Sequence, residues 1–148
     1  MLSVPPKTTP DGDLQLHATT IALEDRGLVI AGPSGSGKSG LALRLMALGA
    51  RLVADDVTWI TAHPDILVAH CPAPIANRIE ARGLGVLQAE TSPAPVTAIL
   101  DLGQMEQNRL PTPRTISILG QDVVLLHKSE TPYFAEAVFH YMRWGRVD

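Results

Sequence analysis

Aromatic side chains are scarce in this chain: two Phe, two Trp and two Tyr make up 4% of it. A core must therefore come mainly from the Ala, Leu, Val and Ile within its 45% hydrophobic content. One cysteine, Cys71, excludes an intrachain disulfide and suits a reducing compartment. Taken alone, it reads as a small buried or half-buried residue rather than a nucleophile. No apolar run reaches the ~20 residues of a membrane-spanning helix. The first residues lack a basic stretch followed by an apolar one, so no secretory signal is expected and a cytoplasmic location is. Cationic excess is missing too: 12 Lys and Arg face 15 Asp and Glu, for a net charge of −3. Nucleic-acid binding, which leaves a basic footprint, is not expected. Internal repeats and low-complexity tracts are absent. The length of 148 residues predicts a single domain over 13–148, preceded by a flexible Pro- and Thr-rich segment over 1–12.

What the chain does have is an octapeptide, Gly32-Pro33-Ser34-Gly35-Ser36-Gly37-Lys38-Ser39, that fits the phosphate-binding P-loop pattern. In such a loop the glycines let backbone N–H groups turn inward around phosphate oxygens. Lys38 would meet the β- and γ-phosphates, and Ser39 would offer a hydroxyl to Mg²⁺. The context agrees. A short apolar run over 27–31 reads as a buried strand. A helix follows over 39–48, with Leu41, Leu45 and Leu48 at helical spacing and Gly49 as its stop.

Residues 14–23 read as extended, with Leu14 and Leu16 on one face and His17, Thr19, Ile21 and Leu23 on the other. The turn at 24–27 predicts a hairpin between this strand and the loop's strand, unlike a doubly wound parallel sheet. Further strands are expected over 51–57, 66–69 and 96–102, and two more around Gly120 and Gln121 within 116–126. The Pro-rich stretch at 93–95 reads as a loop. From Pro132 the chain reads as a helix, with Ala135, Val138, Phe139 and Met142 on one stripe. The fold class expected is α/β with a mixed sheet.

The acids carry the next layer of chemistry. A kinase needs one carboxylate for the acceptor hydroxyl and another for Mg²⁺. Asp55 and Asp56 end a predicted strand, and neighbours on a strand face opposite ways, so different roles are expected; a turn or helix cap is the plain alternative. In the stretch 79–85, Glu80 could reach Mg²⁺ and Arg82 a phosphate, or the two could form a surface salt bridge before a glycine turn. His17 read alone is more often structural than catalytic. His63, His70, His127 and His140 show no metal-ligand spacing with acids or with Cys71. Trp59, Trp144, Tyr133 and Tyr141 read as packing residues rather than a stacking platform.

Four stretches together resemble the catalytic domain of the HPr kinase/phosphorylase family: residues 32–39, 51–56, 79–85 and the pair Arg109-Leu110. The likeness spans roughly residues 14–126. It implies a P-loop fold akin to that family and to phosphoenolpyruvate carboxykinase, ATP and Mg²⁺ as cofactors, and a serine of the phosphocarrier HPr, or an HPr-like carrier of the phosphotransferase system, as acceptor. By the resemblance, Lys38 is the phosphate-binding catalytic lysine, and Ser39 and Glu80 are the Mg²⁺ ligands. His17 and Arg109 are the active-site histidine and arginine. One of Asp55 and Asp56, with a lean toward Asp56, accepts the proton in phosphorylation and donates it in the reverse reaction. The family is typically hexameric, which implies a homo-oligomer.

The chain departs from the family at Gly40, where an acid is common, and in a shortened segment after Gly85. Region 128–132 lacks the arginine-bearing loop linked to dephosphorylation, and the family's extra N-terminal domain is not seen. A short form is implied, with kinase activity better supported than phosphorylase activity. Two other readings remain: a small-molecule kinase, and a catalytically weak nucleotide-sensing module, which Gly40 and the shortened loops would suit.

Overall fold

The computed structural model describes all residues, Met1–Asp148. Eleven strands are present: β1 (Lys7–Thr8), β2 (Leu14–Leu23), β3 (Arg26–Ala31), β4 (Arg51–Ala54), β5 (Val57–His63), β6 (Ile66–His70), β7 (Arg78–Ala81), β8 (Gly85–Gln88), β9 (Ala94–Met105), β10 (Thr115–Ile118) and β11 (Gln121–Lys128). Two α-helices join them, α1 (Lys38–Leu48) and α2 (Phe134–Trp144). The fold is mixed α/β, with a mixed sheet. No helix is long and apolar enough to cross a membrane.

The sheet is organised by two long strands. β2 pairs antiparallel with β5 through its first half, and with β3 and β4 through its second. β9 runs parallel to both β3 and β11, and its first residues pair antiparallel with β6. Since β5 also pairs with β6, the strands β2, β5, β6, β9 and β3 form a closed circuit. The β2–β3 hairpin expected from the 24–27 turn is there, in the register Ala18↔Ala31 to Leu23↔Arg26. The stretch at 93–95 is not all loop: Ala94 and Pro95 begin β9. Pro95 is tolerated there because it lies at the strand's beginning.

Two apolar cores follow from the period-2 alternation. One holds Leu16, Ala18, Ala22, Val29, Ile60, Ala69 and Ile99. The other lies under the helices, with Ile21, Leu28, Ile30, Ala42, Leu45, Leu100, Val138 and Met142. Both are dominated by aliphatic residues, as the shortage of aromatics requires. Cys71 is half-buried against the first core, and its thiol points to the Pro72 carbonyl oxygen at 3.4 Å. Burial, and then the nearby Asp55, push that thiol's pKa up, away from thiolate reactivity. Trp59 packs edge-on to His70 and donates to Gln15 Oε1 at 2.9 Å. Trp144 and Tyr133, expected to pack, are exposed instead.

The N-terminal segment 1–12, read from sequence as flexible, is tied to the body at several points. Leu2 is buried, Lys7 and Thr8 pair with β2, and Ser3 bonds to Asp101 through both N–H (2.7 Å) and Oγ (2.5 Å).

The circuit closes tightly where β3 meets β9. A Cβ on Gly27 would sit 2.4 Å from the Pro95 carbonyl oxygen, a backbone atom that cannot swing aside. Gly27→Ala should therefore destabilise the fold by about 1–3 kcal/mol through strand displacement. Chemical denaturation would check this, and an unchanged midpoint would show that the two strands separate freely.

Candidate active site

The parallel strands β3, β9 and β11 end at one edge of the sheet, and the loops leaving that edge build the site. β3 ends at Ala31 and passes into the 32–39 loop. β4, antiparallel to β2, brings Asp55 to the same edge. The β2 pairing with β3 begins at Ala18, which places His17 beside the loop. Ligands in α/β proteins collect outside the carboxyl ends of parallel strands, and the loop lies at that end of β3.

The 32–39 loop needs its glycines. Gly32, Gly35 and Gly37 all adopt positive φ (145°, 81° and 99°), a region costly for residues with a Cβ. Gly37 caps α1, which starts at Lys38. The Lys38 ammonium lies under the loop and donates to the Gly32 and Pro33 carbonyl oxygens, both at 3.0 Å. Burial lowers its pKa, against the pull of Asp56 and Asp55. Ser36 Oγ is buried without a partner.

Asp55 is the hub. Its Oδ1 accepts from Ser39 Oγ at 2.7 Å and from Thr19 Oγ1 at 2.9 Å, and its Oδ2 accepts from the Glu80 N–H at 2.9 Å. One carboxylate thus ties together the start of α1, strand β2 and the β7–β8 hairpin. It is 8% exposed, and its bonds satisfy what burial would otherwise leave unpaired.

Asp56 is different in every respect. Its side chain is 67% exposed, and Oδ1 lies 3.6 Å from His17 Nδ1. His17 Nε2 in turn lies 3.3 Å from Ser34 Oγ, so the histidine bridges the glycine-rich loop and the second acid. The two aspartates do not end a strand that runs to Val57, as the sequence suggested. β4 stops at Ala54, and Asp56 sits at φ 68° in a tight turn where the Val57 N–H bonds to the Asp55 carbonyl at 2.8 Å. Both backbone sides of Asp56 are pinned: its N–H to Thr19 Oγ1 at 3.2 Å and its carbonyl by the Ala18 N–H at 3.0 Å. An aspartate held in the left-handed region by surrounding bonds is strain of the kind found at working sites. The two acids do face different environments, because of the turn rather than strand alternation.

The structure therefore gathers His17, Ser34, Lys38, Ser39, Asp55, Asp56 and the backbone of Glu80. The Glu80 side chain lies on the exposed face of β7. Arg109 is not joined to this cluster. It is exposed in the 106–114 loop and has no ion pair to the acids. Arg114 holds that loop by a two-point pair to Glu106, at 2.6 and 3.2 Å. This bond holds the Glu106 carboxyl at about 2.

Two residues that sequence reading passed over complete the picture. Thr19 bonds both aspartates; the one available signal was its place on the same face of β2 as His17 and Ile21. Asp101 is fully buried within β9, opposite Ala31 at the end of β3. Burial opposes its charge, but bonds from Gln104, Ser3 and Gly103 outweigh it and hold its pKa below the usual range.

Two predictions follow from this geometry. Asp55→Asn replaces an acceptor-only group facing three donors, so it should cost about 1–3 kcal/mol of stability, whereas Asp56→Asn should stay within about 0.5 kcal/mol. Thermal melts of the two variants side by side would show the asymmetry, and equal shifts would contradict the hub role of Asp55. Separately, the Glu106 carboxyl is depressed in the folded state. Its contribution is present above about 4.5 and is lost as pH falls toward about 2. The acid limb of a stability–pH profile should accordingly be shallower in Glu106→Gln than in the parent chain.

Comparison with known proteins places this geometry. The family described as HPr Serine kinase C-terminal domain matches residues 12–93, more than half of the chain and all of the cluster just described. Proteins named HPr kinase/phosphorylase from Xanthomonas campestris pv. campestris (strain B100), Xylella fastidiosa (strain M12) and Stenotrophomonas maltophilia (strain K279a) are each 47% identical over 73 residues. Those residues are 49% of this chain but 23% of each relative, so the matched part spans about a quarter of their length. The solved structure of the Hpr(Ser) kinase/phosphatase from Coxiella burnetii superposes with a TM-score of 0.73 at 23% identity, covering 87% of this chain and 93% of that one. The fold is that of the Coxiella protein, and the chain belongs to the HPr serine kinase C-terminal domain family.

Proposed function

We propose that this chain is a cytoplasmic, Mg²⁺–ATP-dependent protein serine kinase acting on HPr or an HPr-like phosphocarrier of the phosphotransferase system. The observation that carries the reading is the division between the two aspartates. Asp55 is buried and bonded to the serine after the loop lysine, while Asp56 is exposed beside the same loop and paired to His17. That division suits one acid to a metal shell and the other to an incoming hydroxyl.

In this reading the 32–39 loop is a P-loop whose N–H groups hold the β-phosphate of ATP. Lys38 exchanges the Gly32 and Pro33 carbonyls for phosphate oxygens when nucleotide enters. The donor set suits Mg²⁺. Ser39 Oγ, the Asp55 carboxylate and the Glu80 carboxylate are hard oxygen groups. Phosphate oxygens and water would complete the ion's shell. An ion held by these residues would supply positive charge against the β- and γ-phosphates.

The reacting step is assigned to Asp56. Its exposed carboxylate takes the proton of the carrier's serine hydroxyl as that oxygen bonds to the γ-phosphorus. The bond to the β,γ-bridging oxygen breaks, and ADP leaves. His17 positions Asp56 from one side and contacts Ser34 of the loop from the other, so base and phosphate site move together. Lys38 carries the charge on the transferring group. Arg109 would join it only if the 106–114 loop closes over the site. Positioning and fixed charges supply most of the acceleration.

The same residues would serve phosphorolysis: inorganic phosphate attacks the phosphoserine phosphorus, the bond to the serine oxygen breaks, Asp56 returns the proton to that oxygen, and pyrophosphate leaves. Lacking the arginine-bearing loop at 128–132, this chain is expected to favour the forward direction.

Labelled ATP should transfer phosphate to an HPr-like carrier but not to that carrier with its acceptor serine removed. Lys38→Ala and Asp56→Asn should each lower the rate about a hundredfold or more. ATP that binds without labelling any carrier would overturn the kinase reading in favour of a nucleotide-sensing module.

A further inference from the structure

Strand β9 loses register with β11 at one point. β11 advances a single residue, from His127 to Lys128, while β9 advances from Asp101 to Met105. Leu102, Gly103 and Gln104 are left without partners on β11, and the strand bulges there. On its other side β9 pairs with β3 as far as Asp101↔Ala31. The bulge therefore begins level with Gly32, where β3 passes into the 32–39 loop. We propose that this bulge, held by Asp101 and Ser3, sets the start of the loop for nucleotide phosphate, which makes Asp101 and Ser3 positioning residues. The proposal rests on the kinase reading above and adds two residues to which that reading gives no role.

The loop rests on the bulge without a gap. A Cβ on Gly32 would come within 3.3 Å of Leu102 Cβ and 3.4 Å of the Gly103 nitrogen. A Cβ on Gly103 would collide with the Ser3 side chain and lie 3.0 Å from Pro33 Cδ. Gly32 and Pro33 of the loop, Leu102 and Gly103 of the bulge, and Ser3 of the N-terminal segment thus meet at one place. Close-packed contacts transmit strain, so a shift of the bulge moves the start of the loop.

The bulge has its own holding bonds. Asp101 Oδ1 accepts from the Gly103 N–H at 2.9 Å and from Ser3 Oγ at 2.5 Å. Its Oδ2 accepts from the Ser3 N–H at 2.7 Å and from Gln104 Nε2 at 2.8 Å. Gln104 Nε2 also donates to the Met1 carbonyl oxygen at 2.7 Å. Ser3 is anchored on both sides, because Leu2 is buried in the first core and Lys7 and Thr8 pair with β2. The N-terminal segment therefore lies as a strap across the bulge, and Asp101 is the point where it is fastened.

Strand pairing alone gives no reason for a charge at this position. Asp101 follows Ile99 and Leu100 in a fully buried run, where an apolar residue would pair as well. A buried carboxylate is costly unless it is hydrogen-bonded, and its four donors are together only while bulge and strap are both in place. In the kinase reading that support matters most when nucleotide enters. Lys38 then leaves the Gly32 and Pro33 carbonyls, and packing against the bulge keeps that end of the loop in position.

Calorimetric titration with ADP and Mg²⁺, run well below every melting point, would compare the parent chain with Ser3→Ala, Asp101→Asn and Gly27→Ala. Ser3→Ala removes one donor from the strap and should weaken ADP about five- to tenfold. Asp101→Asn sets an amide among those donors and should weaken ADP at least as much. Gly27→Ala disturbs β3 near its opposite end, so ADP should stay within about twofold of the parent even though this variant melts lower. In phosphoryl transfer from ATP, Ser3→Ala should raise KM for ATP by the same factor and leave kcat within about twofold, since Asp56 and His17 are untouched. ADP affinity that is unchanged in Ser3→Ala, or that falls equally in Gly27→Ala, overturns the proposal and leaves the kinase reading standing. So does a fall in kcat at constant KM. Parent chain that binds no ADP overturns the kinase reading and the proposal with it. If melting shows Asp101→Asn to be misfolded, the exposed Ser3 decides the outcome alone.

Discussion

The Asp55 carboxylate is the constraint on which the rest of the site depends. A buried charge is expensive unless it is hydrogen-bonded. Here three donors come from three different parts of the chain: a hydroxyl from the first turn of α1, a hydroxyl from the middle of β2, and a backbone N–H from β7. Satisfying one charge therefore fixes the helix, the sheet and the hairpin against one another. The hairpin depends on it most. β7 and β8 pair only with each other, outside the large sheet, and the Glu80 N–H is one of their few bonded links to it. Glu80 thus reaches the cluster by its backbone, with its side chain exposed.

The sheet supplies what such a hub needs, which is strands ending together. β3 and β9 run parallel and adjacent because β2, β5 and β6 close the circuit around them. Few aromatics are available, so the walls lie close together, lined by Ala, Val, Leu and Ile. The tightness shows at Gly27, where no side chain could stand against Pro95. A second buried carboxylate, Asp101 within β9, does beside the end of β3 what Asp55 does after β4. It takes donors from Ser3, Gly103 and Gln104 and so fastens the N-terminal segment next to the start of the 32–39 loop.

Much of this was legible in the residues. The bounds of β2 match the extended reading from Leu14 to Leu23 because its alternation is long and regular. α1 and its Gly49 stop were marked by leucine spacing and by a glycine that adopts φ 125°. α2 carries the expected stripe, with Ala135, Val138 and Met142 buried. What was not legible came from contacts distant in sequence. Nothing local in Met1–Ser3 announces a partner at Asp101, some hundred residues on, so composition alone read the segment as flexible. Pro93 and Pro95 look like loop signals, yet β9 begins between them because the β6 edge needs a partner there. Thr19 carries no motif at all. Its role appears only when β4 delivers Asp55 beside it.

The contrast between Asp55 and Asp56 bears on how one dipeptide can hold two chemistries. A carboxylate already accepting from three donors cannot easily take a proton, because protonation would set a new donor against donors already in place. An exposed carboxylate with a single histidine nearby has lone pairs to spare. Regular strand geometry would have placed the two side chains on opposite faces of one sheet, with a layer of backbone between them. The turn at Asp56 instead ends the strand and keeps both carboxylates at its tip, one turned inward to Ser39 and one outward to solvent. The positive φ at Asp56 is the local cost of that arrangement. The bonds from Thr19 and Ala18 that hold it there belong to the same strand that carries His17. Strand β2 thus positions the hub, strains the exposed acid into place and supplies its histidine.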